Sequence, residues 1–208
     1  MKYSVSTMFD RETWQVYGEN WLRQARSLSL DGYVVDAGLD DDAVAKVKGM
    51  GFMCLPAQTG SPDRSNIFEP FVKAMSPGET CLWVQPFVKP ISGLSTGADL
   101  MCETSHINVD SLASIVINLY DRAAMTHSLE EKIRAVHGAY LSTRYILGSH
   151  DFWVGFLGCQ NYLSKRQYLV QAWPAEDLVL NFFVAFANSF SVEVKPYPEA
   201  TADSVDGE

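Results

Sequence analysis

Residues 1–55 switch repeatedly between two hydrophobic periods, and this constrains the fold more than any other feature of the chain. Tyr3, Val5 and Met8-Phe9 follow a loose alternation, the mark of a strand. Asp10 then offers an N-cap to a helix whose apolar residues, Trp14, Tyr17, Trp21, Ala25 and Leu28, recur every three or four positions. Asp31-Gly32 turns the chain into the β-branched run Tyr33-Val34-Val35, which ends at Asp36-Ala37-Gly38. Asp40-Asp41-Asp42 opens a short helix with Ala43, Val44 and Val47 inward and Gly49 at its end; Phe52 to Leu55 is the next strand. Strands joined by helical crossovers pair in parallel, so the predicted class is α/β, with a mixed, largely parallel sheet flanked by helices.

The rest of the chain extends this pattern. Ile67 to Met75 has helical spacing, with Pro70 confined to a first turn. Thr80-Cys81-Leu82-Trp83-Val84 is the strongest candidate for a central strand, which puts Gln85-Pro86-Phe87 at its carboxyl end, where open α/β sheets bind ligands. Ala98 to Cys102 reads as strand. Helices are expected after the caps Asp110 and Ser128, around Phe152, Trp153, Phe156 and Tyr162, and over Glu176 to Asn188; Ser191 to Val194 closes as a strand. No repeat or linker divides the chain, so one domain is expected over residues 1–196, followed by an acidic, disordered tail over 197–208.

The 208 residues carry 16 Lys+Arg against 25 Asp+Glu, a net charge of −9, which argues against nucleic acid or anionic lipid as a partner. Four of the excess acids lie in the tail after Lys195, so the body of the protein is only moderately acidic. Cys54, Cys81, Cys102 and Cys159 form no C-x-x-C pair and fit a reducing compartment; with no apolar leader or spanning run, the chain reads as cytoplasmic.

Several motifs carry chemistry in other proteins. Gly93-Leu94-Ser95-Thr96-Gly97 matches the G-x-S-x-G elbow of serine hydrolases, but an elbow runs from strand directly into helix, and here a strand is expected to follow. Glu103, His106 and Asp110 lack the spacing of a tetrahedral metal site. No G-x-G-x-x-G follows the first strand and no P-loop occurs. More informative are His150-Asp151-Phe152-Trp153 and Trp173-Pro174-Ala175-Glu176-Asp177, which join helix-start acids to aromatic rings that look exposed, the pairing that carbohydrate sites use for hydroxyls and sugar faces.

Taken together, YSVSTMFD, YGENWL, the strand ending at Asp36, the central LWV and the late helix-opening EDLVLN resemble the nucleotide-sugar glycosyltransferases of the GT-A fold. The resemblance implies a Rossmann-like sheet and transfer of a sugar from a nucleotide-sugar donor to an undetermined acceptor. It implies Asp177 as base or sugar-positioning residue, with Glu176 and Asp151 on hydroxyls. Asp10, Tyr17 and Asp36 would embrace the nucleotide, and Gln85, Trp153 and Asn181 would complete the donor site.

One departure stands out. The family's metal-holding Asp-x-Asp would fall at positions 85–87, where this chain has Gln85-Pro86-Phe87. A Mg²⁺ or Mn²⁺ ion would lack anionic ligands there, so none is assigned; Lys89 or Lys165-Arg166 would have to serve as phosphate partners. The same loss is expected of a catalytically inactive binding or assembly protein that keeps the fold. A serine hydrolase using Ser95 is the third reading.

Overall fold

The computed structural model describes residues 2–57, 67–104, 141–164, 175–186 and 190–198. They form a seven-stranded sheet from β1 (Ser4–Phe9), β2 (Gly32–Asp36), β3 (Met53–Pro56), β4 (Thr80–Val84), β5 (Leu100–Thr104), β6 (Leu141–Ser149) and β7 (Val192–Val194). The order is β3-β2-β1-β4-β6-β5-β7. Only β6 runs against its neighbours, β4 and β5; the remaining pairs are parallel. The mixed, largely parallel α/β sheet expected from the alternation is therefore what the chain forms.

Helices cover both faces. Successive side chains of a strand point to opposite sides, and in β4 this sends Cys81 and Trp83 to one core and Leu82 and Val84 to the other. The first core is closed by α4 (Glu69–Ala74), α5 (His150–Ser164) and α6 (Ala175–Phe186), whose Phe71, Phe152, Trp153, Phe156 and Phe183 pack in edge-on and stacked ring contacts. The second lies under α2 (Glu19–Ser27) and α3 (Asp41–Gly49), with Trp21, Leu22, Ala25 and Val47 buried.

The two predicted caps form. The Asp10 carboxylate accepts the Thr13 N–H at 2.8 Å, while the Thr13 hydroxyl accepts the Asp10 N–H, a reciprocal capping box. Asp40 accepts the Ala43 N–H at 2.8 Å. The first helix departs from expectation: α1 (Arg11–Thr13) passes through a π-helical turn, Trp14–Gly18, before α2. The wider turn rotates Tyr17 off the buried stripe to 40% exposure and leaves Val16 68% exposed. Gly18 takes the inward place, because a Cβ there would lie 2.2 Å from the Trp14 ring.

Strand β6 is not expected from the sequence, and the reading of its neighbours changes with it. Opposite the step from Cys102 to Glu103 in β5, β6 passes from Ile146 to Ser142, so Thr143, Arg144 and Tyr145 form a bulge out of that ladder. Tyr197, which the sequence reading puts at the head of the acidic tail, is buried against Tyr145, with ring centroids 4.8 Å apart. The helices expected after Asp110 and Ser128 lie outside the described residues.

Candidate functional site

The carboxyl ends of β1, β2 and β4 share one edge of the sheet, and they carry Asp10, Asp36 and Gln85 there. Phe9 and Asp36 stand in register, and the Phe9 carbonyl accepts the Ala37 N–H at 2.9 Å, which draws the first two strand ends together. Asp36 accepts the N–H groups of Gly38 and Leu39 at 2.9 and 2.7 Å. Gly38, at φ 120°, supplies the backbone conformation that this turn needs. Tyr17 stands exposed on the π-helical turn that follows Asp10.

The segment after β4 is held by its backbone. Gln85 donates its N–H to the Arg144 carbonyl at 3.1 Å and accepts that of Val88 at 2.9 Å, making a tight turn over Pro86-Phe87. Three aromatic donors then take carbonyls of the segment: the Trp21 indole takes Val88 at 2.9 Å, the Tyr197 hydroxyl takes Lys89, and the Tyr3 hydroxyl takes Ile91 at 2.8 Å. Phe87 at the turn's tip is 55% exposed, and Lys89 is exposed.

On the other side of Gln85 lies the β6 bulge, clamped by α6. Asp177 Oδ1 accepts both the N–H and the hydroxyl of Thr143, at 2.7 and 2.6 Å. One turn on, Asn181 accepts the Leu141 N–H at 2.9 Å and donates to its carbonyl at 2.8 Å. The two side chains act as a substitute strand edge for backbone groups that would otherwise be left without partners. Burial pushes the Asp177 carboxyl above the usual range, the Thr143 bonds oppose that shift, and the Glu103 charge adds to it. Asn181 is 1% exposed with its amide engaged by backbone, so the donor-binding role expected for it is corrected to a structural one. Glu176, half-buried, stands one residue before Asp177 in the same first turn.

Two further expectations are overturned. Asp151 is expected at the site, but β6 is antiparallel to β4, so the residues that follow it emerge at the opposite edge: Ser149 pairs with Thr80, and His150 N–H binds the Glu79 carbonyl at 2.8 Å. Asp151 is thereby separated from Gln85 by the length of β4, five residues, or about 16 Å at ~3.3 Å per residue. Trp153 is expected to expose its ring to a sugar; it is fully buried, as is Phe152, and its indole N–H binds the Cys81 carbonyl at 3.3 Å. Ser95 lies in an irregular stretch between β4 and β5, with no helix after it, so no nucleophile elbow forms. His106, Asp110, Lys165-Arg166 and Trp173 lie outside the described residues.

The residue missed by sequence reading is Arg144. It occupies the bulge beside Gln85 and pairs with Glu103 at 3.4 Å. Only recognition of the strand would have placed this cation at the site.

The described residues assemble no three-ligand metal site at this edge. Gln85-Pro86-Phe87 supplies no carboxylate, and among the described residues no group of three or more His, Cys, Asp or Glu could hold an ion. Thiol chemistry fits no better, since burial pushes Cys102 up to about 12 and Cys159 up to about 11. No helix among the described residues is long and apolar enough to cross a membrane.

No protein family matches the chain by sequence, and no curated protein does. Among solved structures it is similar to glucosyl-3-phosphoglycerate synthase from Mycobacterium tuberculosis in complex with Mn²⁺, UDP and glucosyl-3-phosphoglycerate. The TM-score is 0.50 and the identity 14%, over 79% of this chain and 66% of that one. The same enzyme with UDP gives a TM-score of 0.47 at 14% identity, over 80% and 67%. This chain thus spans slightly less than two thirds of the first relative's length. The likeness shows the fold alone: a mixed, mostly parallel α/β sheet of GT-A-like architecture, as the sequence resemblance implied.

Proposed function

We propose that this chain binds a nucleotide sugar along the carboxyl edge of β1, β2 and β4 and transfers its glycosyl group to an acceptor hydroxyl. The observation that carries the reading is the convergence of Asp10, Asp36 and Gln85 at three adjacent parallel strand ends, the position where open α/β sheets bind ligands. Asp36 and Tyr17 contact base and ribose, and Asp10 supports them from the capping turn. Gln85, which we read as standing where the family carries Asp-x-Asp, hydrogen-bonds the donor. Glu176 faces the acceptor as the general base, and Asp177 with Asn181 positions the strand on which the site rests. The four free thiols, Cys81 and Cys102 buried and Cys54 and Cys159 half-buried, fit a reducing compartment such as the cytoplasm.

A thermal-shift panel of UDP, GDP, CDP and TDP sugars, with and without Mn²⁺, tests the reading. Ligand at a hundredfold excess over its dissociation constant stabilises by about 2.7 kcal/mol, a shift of several degrees. Silence across the panel refutes it. A second reading, a non-catalytic binding protein, is favoured by one observation: the buried Asp177 is committed to Thr143. Slow release of nucleoside diphosphate, with water as surrogate acceptor, separates transferase from binder, and Glu176→Gln should abolish that release while leaving binding intact.

A further inference from the structure

We propose that Arg144 is the diphosphate ligand of this chain, a metal-independent anion site on the β6 bulge beside Gln85; the identity of the anion's carrier rests on the nucleotide-sugar reading above. A bulge re-aims a side chain, and this one is held from both sides. Asp177 fixes the Thr143 N–H from α6, and the Gln85 N–H fixes the Arg144 carbonyl from β4. Arg144 is thereby presented at the carboxyl edge of the sheet, its side chain 38% exposed.

Its ion pair engages one of the guanidinium nitrogens, Nη1. The Nη1 to Glu103 Oε1 distance of 3.4 Å is long beside the ~2.7–2.9 Å of a strong charge-assisted bond. Glu103 is shared: its other oxygen accepts the Tyr197 N–H at 3.2 Å. A guanidinium carries five donors in a planar fork that matches two phosphate oxygens, and it keeps its charge at any working pH. The backbone of two lysines is fastened close by. The Lys89 carbonyl takes the Tyr197 hydroxyl and the Lys195 carbonyl takes that of Tyr145, with the two rings in contact. Among the described residues the carboxylates near this corner of the sheet are Glu103, Asp177, which is bonded to Thr143, and Glu193, which is paired with Lys195 at 2.5 Å. A leaving diphosphate accumulates negative charge, and a fixed cation can stabilise it where carboxylate ligands for a metal are lacking.

Calorimetric titration of the full chain in EDTA with inorganic pyrophosphate, UDP and uridine tests this. Arg144→Ala should weaken pyrophosphate and UDP alike by about tenfold or more and leave uridine unchanged. Arg144→Lys should recover part of the loss, and Glu103→Gln, which keeps an acceptor for Tyr197, should tighten both anions; circular dichroism confirms that each variant is folded. Equal pyrophosphate affinity in wild type and Arg144→Ala, or binding only when Mn²⁺ is added, overturns the assignment. Arg144-dependent pyrophosphate binding with no gain from the nucleoside upholds the anion site and refutes the nucleotide-sugar reading.

Discussion

Asp177 and Thr143 are joined by two hydrogen bonds to one carboxylate oxygen, at 2.7 and 2.6 Å, across 34 positions of sequence. Through this pair, α6 holds the bulged strand that borders Gln85. A carboxylate that resembles a catalytic base is thus the anchor of the strand on which the candidate cation stands.

Removing the anchor leaves a buried N–H without its acceptor. Asp177→Ala should cost about 2–3 kcal/mol, read from urea unfolding. Asp177→Asn keeps an acceptor and should cost less. The two forms also differ in pH dependence. Burial raises the Asp177 pKa in the folded state, so the native chain holds this proton more tightly than the unfolded one. Its contribution to stability is full below the ordinary carboxylate range and is lost as pH rises through the raised folded value. Melting temperatures between pH 4 and 7 should show wild type losing ground to Asp177→Asn with rising pH; the opposite slope would sink this account.

Tyr197→Phe removes the hydroxyl that takes the Lys89 carbonyl and keeps the ring on Tyr145. The expected loss is about 1 kcal/mol, together with faster proteolysis within residues 85–95. Tyr197→Ala also loses the buried ring and should cost about 3 kcal/mol or more. Equal costs for the two substitutions would show that the ring contributes nothing beyond the hydroxyl, and a Tyr197→Phe cost of zero that the hydroxyl contributes nothing.

Two glycines make opposite predictions. A Cβ on Gly32 would lie 1.8 Å from the Val5 carbonyl oxygen, inside the β1–β2 pairing. Gly32→Ala should therefore destabilise by more than about 3 kcal/mol or prevent folding. Gly49, at the end of α3, has open space where a methyl group would stand, and Gly49→Ala should stabilise by about 0.5–1 kcal/mol. Thermal melts of the pair check both signs.

What was legible in the chain followed the strength of local signals. Thr80–Val84 is a strand at the bounds its composition predicts, and both aspartate caps sit where expected, because apolar runs and N-caps are encoded within a few residues. Strand β6 was hidden. Its alternation, Leu141, Thr143, Tyr145 and Leu147, is broken by Ile146 and Gly148, and a bulge shifts the pairing midway. That one omission accounts for the largest errors at the site. Without an antiparallel strand, Asp151 falls at the wrong edge, Asp177 has no Thr143 to hold, and Arg144 has no reason to stand beside Gln85. The aromatic misreading has another cause: His150-Asp151 suggests a solvated helix start, whereas Phe152, Trp153 and Phe156 pack among α4, α6 and the sheet. Tyr17 moved for a third reason, since a π-helical turn is dictated by the fit of Gly18 against Trp14 and not by spacing.

The three donors that take the carbonyls of Val88, Lys89 and Ile91 come from distant parts of the chain: Tyr3, Trp21 and Tyr197. The segment after β4 is therefore completed by contacts of very different sequence span, and the longest of them, between Tyr197 and Lys89, crosses 108 positions. Contacts of such range form late, because chain closure must precede any gain from them. On a ribosome, β1, β2 and β4 can pair while this segment still lacks a fastening, and its final shape waits until residue 197 has emerged. The carboxyl edge beside Gln85 is thus completed by a residue translated 108 positions after Lys89.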